Sequence, residues 1–181
     1  YIGGNARIDS DGSEDVLNRS VGGNVFGAGC GYNATSTSGQ VTHGTNVVIA
    51  DNAYVERGVY GGGSYGYTEN TSNIYITGGI VGGKAGGVNG TSYKSDIQGG
   101  VYGGACQNKG GSVNIFMTGG IVNGGLYGGS NASGEVTGPI TLTMTGGTVE
   151  NVFGGGNEAP VTGNTNVTIT GGEIKQNVYG G

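Results

Sequence analysis

Few residues in this chain could do acid–base or nucleophilic chemistry: twelve Asp and Glu, seven Lys and Arg, one His and two Cys among 181. Glycoside hydrolysis needs two carboxylates converging on one bond. Here the acids and bases are scattered, and Asp51, Glu56, Arg57 and Lys84 form the only loose grouping. His43 stands alone between strand-like runs, and no Ser or Cys has a partner base at a matching position. The Gly-x-Gly stretches open no helix, so they do not read as phosphate cradles. The chain is therefore expected to be non-catalytic and to carry no cofactor. Asp9, Asp11 and Asp15, in Asp9-Ser10-Asp11-Gly12-Ser13-Glu14-Asp15, resemble the start of a calcium loop. The rest of that pattern is missing, so a solvated acidic loop is the simpler reading and no metal is expected.

The residues with the clearest spacing are aromatic. Val25-Phe26-Gly27 returns as Val59-Tyr60-Gly61, Val101-Tyr102-Gly103, Leu126-Tyr127-Gly128, Val152-Phe153-Gly154 and Val178-Tyr179-Gly180. Phe26, Tyr60, Tyr102, Tyr127, Phe153 and Tyr179 thus form one column, the best candidate binding surface if it faces out and a stabilising ring stack if it does not. A second run alternates with the first: Ile74-Tyr75-Ile76-Thr77-Gly78-Gly79, Ile115-Phe116-Met117-Thr118-Gly119-Gly120, Leu142-Thr143-Met144-Thr145-Gly146-Gly147 and Val167-Thr168-Ile169-Thr170-Gly171-Gly172, with a looser copy at Val47–Asn52. Short runs with a two-residue period, rich in Val, Ile, Thr and Tyr and bounded by Gly, predict strands with one buried face. The inward residues are expected to be Val101, Ile115, Met117, Leu126, Leu142, Met144, Val152, Val167 and Ile169. Four strand-end threonines, Thr77, Thr118, Thr145 and Thr170, form a column whose neighbours Tyr75 and Phe116 are too aromatic for an ice-binding face.

The steps from Val101 to Leu126, Val152 and Val178 are nearly constant. Fixed-period self-similarity marks a repeat stack. The fold class expected is all-β, a right-handed parallel β-helix or β-solenoid of roughly 25–26-residue coils with Gly-rich corners, as a single array over 1–181. A degenerate copy at Val81-Gly82-Gly83-Lys84 follows Val59 by about one repeat and precedes the next clear copy, at Val101, by well under one. It predicts an irregular coil near 80–100 and a rod of roughly 30–35 Å. The residues before each aliphatic (Asn24, Gly58, Gly100, Gly125, Asn151, Asn177) are those that tolerate positive φ, so this column is expected to be left-handed.

Forty-six glycines without a Gly-X-Y triplet exclude collagen, and the alternation argues against disorder. A net charge of −5 with no basic stripe is a poor footprint for nucleic acid, and no run is apolar enough to predict a membrane span. Cys30 and Cys106 occupy the same repeat position two coils apart, which predicts no intramolecular disulfide between them; each is read as free or as paired between molecules. Tyr1-Ile2-Gly3-Gly4 and Val178-Tyr179-Gly180-Gly181 both look like partial coils, so the array is expected to continue beyond one or both ends, covalently or by end-to-end or lateral association with itself. Loops 30–45, 64–72, 106–112, 130–139 and 157–165 all leave the same repeat position and should line one edge, where partner specificity usually lives. Asn33, Asn70 and Asn131 begin Asn-x-Ser/Thr sequons there, and Asn89 begins another outside those loops.

The grammar Val-Tyr-Gly-Gly-Gly … Asn-Val-Thr-Ile-Thr-Gly-Gly resembles the Gly-rich repeats of large secreted and surface-anchored bacterial adhesin-like proteins. The resemblance covers nearly the whole chain and implies an extracellular, cell-surface structural or adhesive rod. It carries over no catalytic residue. Its implied partners are the chain itself and glycans or a host or bacterial surface. The alternatives are a self-assembling extracellular filament subunit and a carbohydrate-binding or polysaccharide-degrading β-helix.

Overall fold

The computed structural model describes residues 1–14, 20–33, 37–82 and 99–181. Among them there is no helix, and thirteen strands join one sheet whose pairings are all parallel. The sheet resolves into ladders that follow the repeat. In the long-strand ladder β5 (Thr45–Ile49), β8 (Ser72–Ile76), β11 (Val113–Met117), the start of β13 (Ile140–Phe153) and the start of β14 (Thr165–Ile174) pair in order. The short-strand ladder runs β1 (Arg7–Ile8), β6 (Tyr54–Val55), β9 (Ile80–Val81), the start of β12 (Ile121–Tyr127), then later residues of β13 and β14. The aromatic ladder runs β4 (Val25–Phe26), β7 (Val59–Tyr60), β10 (Val101–Tyr102), the ends of β12 and β13, and β15 (Val178–Tyr179). Single bridges align Val41, Thr68, Gly110, Val136 and Val161 in a fourth row. Apart stands an antiparallel pair, β2 (Ser10–Glu14) with β3 (Ser20–Gly22).

Register makes the core. Because alternate side chains face opposite ways, parallel pairing without slip stacks like on like: Val47, Ile74, Ile115, Leu142 and Val167 in one column, Ile49, Ile76, Met117, Met144 and Ile169 in the next. Ile8, Val55, Val81, Val122, Val149 and Ile174 complete the interior from the short strands. Of the nine residues expected inward, Val101, Ile115, Met117, Leu126, Leu142, Met144 and Val152 are fully enclosed. Val167 and Ile169 are half-buried and pack on the core, because β14 has a neighbour on one side only.

Two expectations are corrected. The degenerate copy at Val81 is not a member of the aromatic ladder: Val59 pairs directly with Val101, and Ile80–Val81 sit in the short ladder between Tyr54–Val55 and Ile121–Val122. Gly82 and Gly99 lie so close that a Cβ on either would overlap the other's backbone. The stretch from Val59 to Val101 is therefore one repeat of ordinary length carrying an insert, 83–98, that leaves and returns at a single point. Lys84 belongs to that insert and lies outside the described residues. With six members in the aromatic ladder rather than seven, the stack spans about 24 Å between its first and last strands.

The Gly/Asn column before each aliphatic does not adopt positive φ; at the repeat corners it is Gly79, Gly120, Gly147 and Gly172, the second glycine of each Thr-Gly-Gly, that are left-handed. The column is small for another reason. The ring two residues on folds back over it, so a Cβ on Gly58, Gly100 or Gly125 would sit 2.8, 3.2 or 2.6 Å from Tyr60, Tyr102 or Tyr127. The asparagines in the column join neighbouring layers: the Gly58 N–H donates to Asn24 Oδ1 and the Asn177 N–H to Asn151 Oδ1. The glycine after each aromatic is fixed by the stack itself. A Cβ on Gly27, Gly61, Gly103, Gly128 or Gly154 would overlap the carbonyl oxygen of its counterpart in the next layer.

Candidate functional site

The six aromatics form one unbroken stack. Ring centroids from Phe26 through Tyr60, Tyr102, Tyr127 and Phe153 to Tyr179 are 4.7–4.9 Å apart, with interplanar angles of 2–16°. This is the strand spacing imposed on rings, and it decides what the column can do. Sugar rings are held on an exposed aromatic face, yet here each interior ring gives both faces to its neighbours. Tyr60 and Tyr102 are 2% and 1% exposed, while the end rings Phe26 and Tyr179 are 36% and 47% exposed. In the middle of the column ring and aliphatic are buried together: Val59 and Tyr60 are both enclosed, as are Val101 and Tyr102, while Tyr127 and Phe153 are half-buried beside enclosed Leu126 and Val152. The aromatics fill a second layer over the strand rather than an open face.

The Tyr60 hydroxyl accepts a hydrogen bond from Asn131 Nδ2 at 3.2 Å. Burial, with Cys106 and Tyr102 close by, pushes the Tyr60 hydroxyl well above the ordinary tyrosine range. Tyr127, partly buried, is raised for the first of these reasons alone.

The loops that follow the aromatic ladder are built into the stack. Besides the bridge row, Gln107 bridges Ser133, Asn157 Nδ2 donates to Asn131 Oδ1 at 3.0 Å, and Ser130 Oγ donates to the Asn108 carbonyl at 3.1 Å. Asn108 donates in turn to the Tyr65 carbonyl. Asn131, read as a sequon, is fully buried, so no oligosaccharide can be attached there in the folded chain; Asn33 and Asn70 are exposed, and Asn89 lies outside the described residues. Tyr32, Asn33, Thr42, His43, Glu69, Asn70, Lys109, Asn157 and Glu158 stand out along this edge. A shallow depression lies between Tyr67, Glu69, Lys109 and Thr137, with the Lys109 ammonium 4.6 Å from the centre of the Tyr67 ring. Among the described residues the edge offers amides, hydroxyls and a few charges.

Among the described residues the remaining candidates do not assemble. Arg7 holds the Asp9 carboxylate through two 3.1 Å hydrogen bonds and covers the Tyr54 ring at 4.1 Å. Asp11 lies in β2, and Asp15 lies outside the described residues. Among the described residues no three His, Cys, Asp or Glu side chains cluster as metal ligands. His43 Nδ1 is engaged by the Thr42 hydroxyl at 2.9 Å. Glu56 and Arg57 are buried beside the short strands, whereas Asp51 sits at an exposed corner where the Gly4 N–H and the Tyr1 hydroxyl lower its pKa. Cys30 is exposed, Cys106 is half-buried, and neither is in a disulfide. Sequence reasoning missed the Asn131–Asn157–Tyr60 network, whose only signal was an asparagine recurring at the repeat interval in loops of unequal length.

No family model, curated protein or solved structure matches the chain. Among the described residues no helix is long and apolar enough to cross a membrane.

Proposed function

We propose that the parallel ladders are the faces of a right-handed β-solenoid, and that the chain is a non-catalytic structural and adhesive rod segment of an extracellular bacterial surface protein. The observation that carries this reading is the continuity of the columns: aliphatic, aromatic and glycine positions repeat layer after layer, while variation falls at the connections, in the loops after the aromatic ladder and at the junction between the short-strand and aromatic ladders. Successive strands of one parallel ladder need a crossover, and crossovers of this kind are right-handed in about 98% of cases. A scaffold that keeps its faces constant and varies its connections suits display of a binding surface. The scattered acids and bases support a role without turnover.

The test is adhesion without chemistry. Beads coated with the chain should retain mucin or plant polysaccharide, and replacing Tyr32, Asn70 and Lys109 together by Ala should release it. Substitutions on the outward side of the long strands, such as Asn46→Ser, should leave retention unchanged. Release of reducing sugar from either polysaccharide would instead favour the degrading β-helix.

A further inference from the structure

We propose that the depression on the fourth row is a subsite for one uncharged, hydroxyl-rich ring of a polysaccharide. This deepens the adhesive reading, on which it rests, by naming a site and a ligand class. A buried hydroxyl points to it. Thr68 is 1% exposed, and among the described residues its Oγ1 has no hydrogen-bond partner. A buried hydroxyl left unpaired is destabilising, and a ligand oxygen beside it removes that penalty. Thr68 lines the depression, so the missing partner can enter from there. The row itself provides the opening. Thr68 pairs with Gly110, and Gly110 with Val136, whose side chain lies in the core. A Cβ on Gly110 would meet only Val136 at 3.4 Å and Gly104 at 3.7 Å, so the space beside Thr68 is left unfilled.

The residues flanking the row supply the remaining chemistry. By register, Tyr67 and Lys109 precede it in adjacent layers, while Glu69, Gly111 and Thr137 follow it. The Lys109 ammonium rests on the Tyr67 ring at 4.6 Å, which holds it at the rim and leaves N–H donors for a ligand. Glu69 offers acceptors and Thr137 a hydroxyl that can do both, and the two are exposed. One cation and one anion share the rim, so a ligand of either net charge meets a like charge. Sugar hydroxyls instead donate to Glu69 and accept from Lys109. The depression crosses three layers, roughly 10 Å, which suits a single ring with its hydroxyls. Its one large ring, Tyr67, is buried, which leaves no pocket for the anchoring side chain of a peptide.

Titration of the full chain with methyl β-glucoside and methyl β-galactoside, followed by amide NMR, tests this. Saturable shifts should appear at Gly110, Gly111 and Thr137, with dissociation constants on the order of millimolar. Thr68→Val keeps the shape and removes the hydroxyl, so it should weaken binding about tenfold while raising the thermal midpoint. Lys109→Met should weaken binding by a similar factor, whereas Lys175→Met, at an exposed lysine paired with Glu150, should leave it unchanged. Three results would overturn the subsite: no saturable shifts, a Thr68→Val chain that binds as the native chain does, or a stronger response to glucuronate or glycine. A lowered midpoint for Thr68→Val would overturn it too, by showing that water already satisfies the hydroxyl. Should the shifts be absent, native-chain beads that still retain mucin or plant polysaccharide would leave adhesion standing without this subsite. Beads that retain neither would overturn both.

Discussion

At the residue scale, glycine is the residue most closely determined by the stack, and for two different reasons. Gly103 has no room for a Cβ because the Gly128 carbonyl and Val113 occupy that space, whereas a Cβ on Gly110 would meet Val136 at an ordinary 3.4 Å. Gly103→Ala should therefore cost about 1–3 kcal/mol or more and Gly110→Ala close to nothing, as read by urea unfolding. Tyr60→Phe keeps the ring, which is already Phe at positions 26 and 153, but removes the acceptor of a buried Asn131 N–H. That change should cost about 1–3 kcal/mol, and an unchanged midpoint would mean that water satisfies the amide. Asp51 gives a pH signature. Its folded pKa is depressed, so the stabilisation of Tyr1–Gly4 is present above the ordinary carboxylate range and is lost as pH falls through the lowered value. Lower hydrogen-exchange protection at the Gly4 amide in acid, measured against the intrinsic rate at each pH, with protection in β8 and β11 unaffected, is the expected result. The glycine column was legible in the sequence, but its cause was not. Gly58, Gly100 and Gly125 invited a left-handed reading, and only the rings folded over them show why they are small.

At the scale of elements, alternation and Gly-Gly punctuation made the long strands and the aromatic strands readable, because a single buried face forces a two-residue period. The short-strand ladder was not readable. Tyr54–Val55, Ile80–Val81 and Ile121–Val122 are two-residue pairings, too brief for periodicity, and Val81-Gly82-Gly83 mimics the start of the aromatic repeat. The insert followed from the same ambiguity, since the extra length between Val59 and Val101 can be divided between two irregular layers or given to one layer and an insert. Gly82 lying against Gly99 decides for the insert. Joining Gly82 directly to Gly99 should leave the strand spectrum unchanged and shift the thermal midpoint by only a few degrees, for the shortened linkage then has the length of Val122 to Leu126. Loss of the β-sheet spectrum on excision would show instead that 83–98 form part of the stack.

At the scale of the molecule, the proposed solenoid places its stability in the interfaces between layers. Leu142, fully enclosed between Ile115 and Val167, is the natural probe, and Leu142→Ala should cost about 2–5 kcal/mol. The most direct test of the layered register is a pair of distances. Spin labels at Asn46 and Asn166 sit far apart in sequence but in one outward column, with Asn73, Asn114 and Thr141 between them. With Cys30 and Cys106 replaced, the account predicts about 19 Å between those backbone positions, falling by about 4.8 Å when the second label moves to Thr141. Separations beyond about 30 Å, or no shortening on moving one layer, would contradict it.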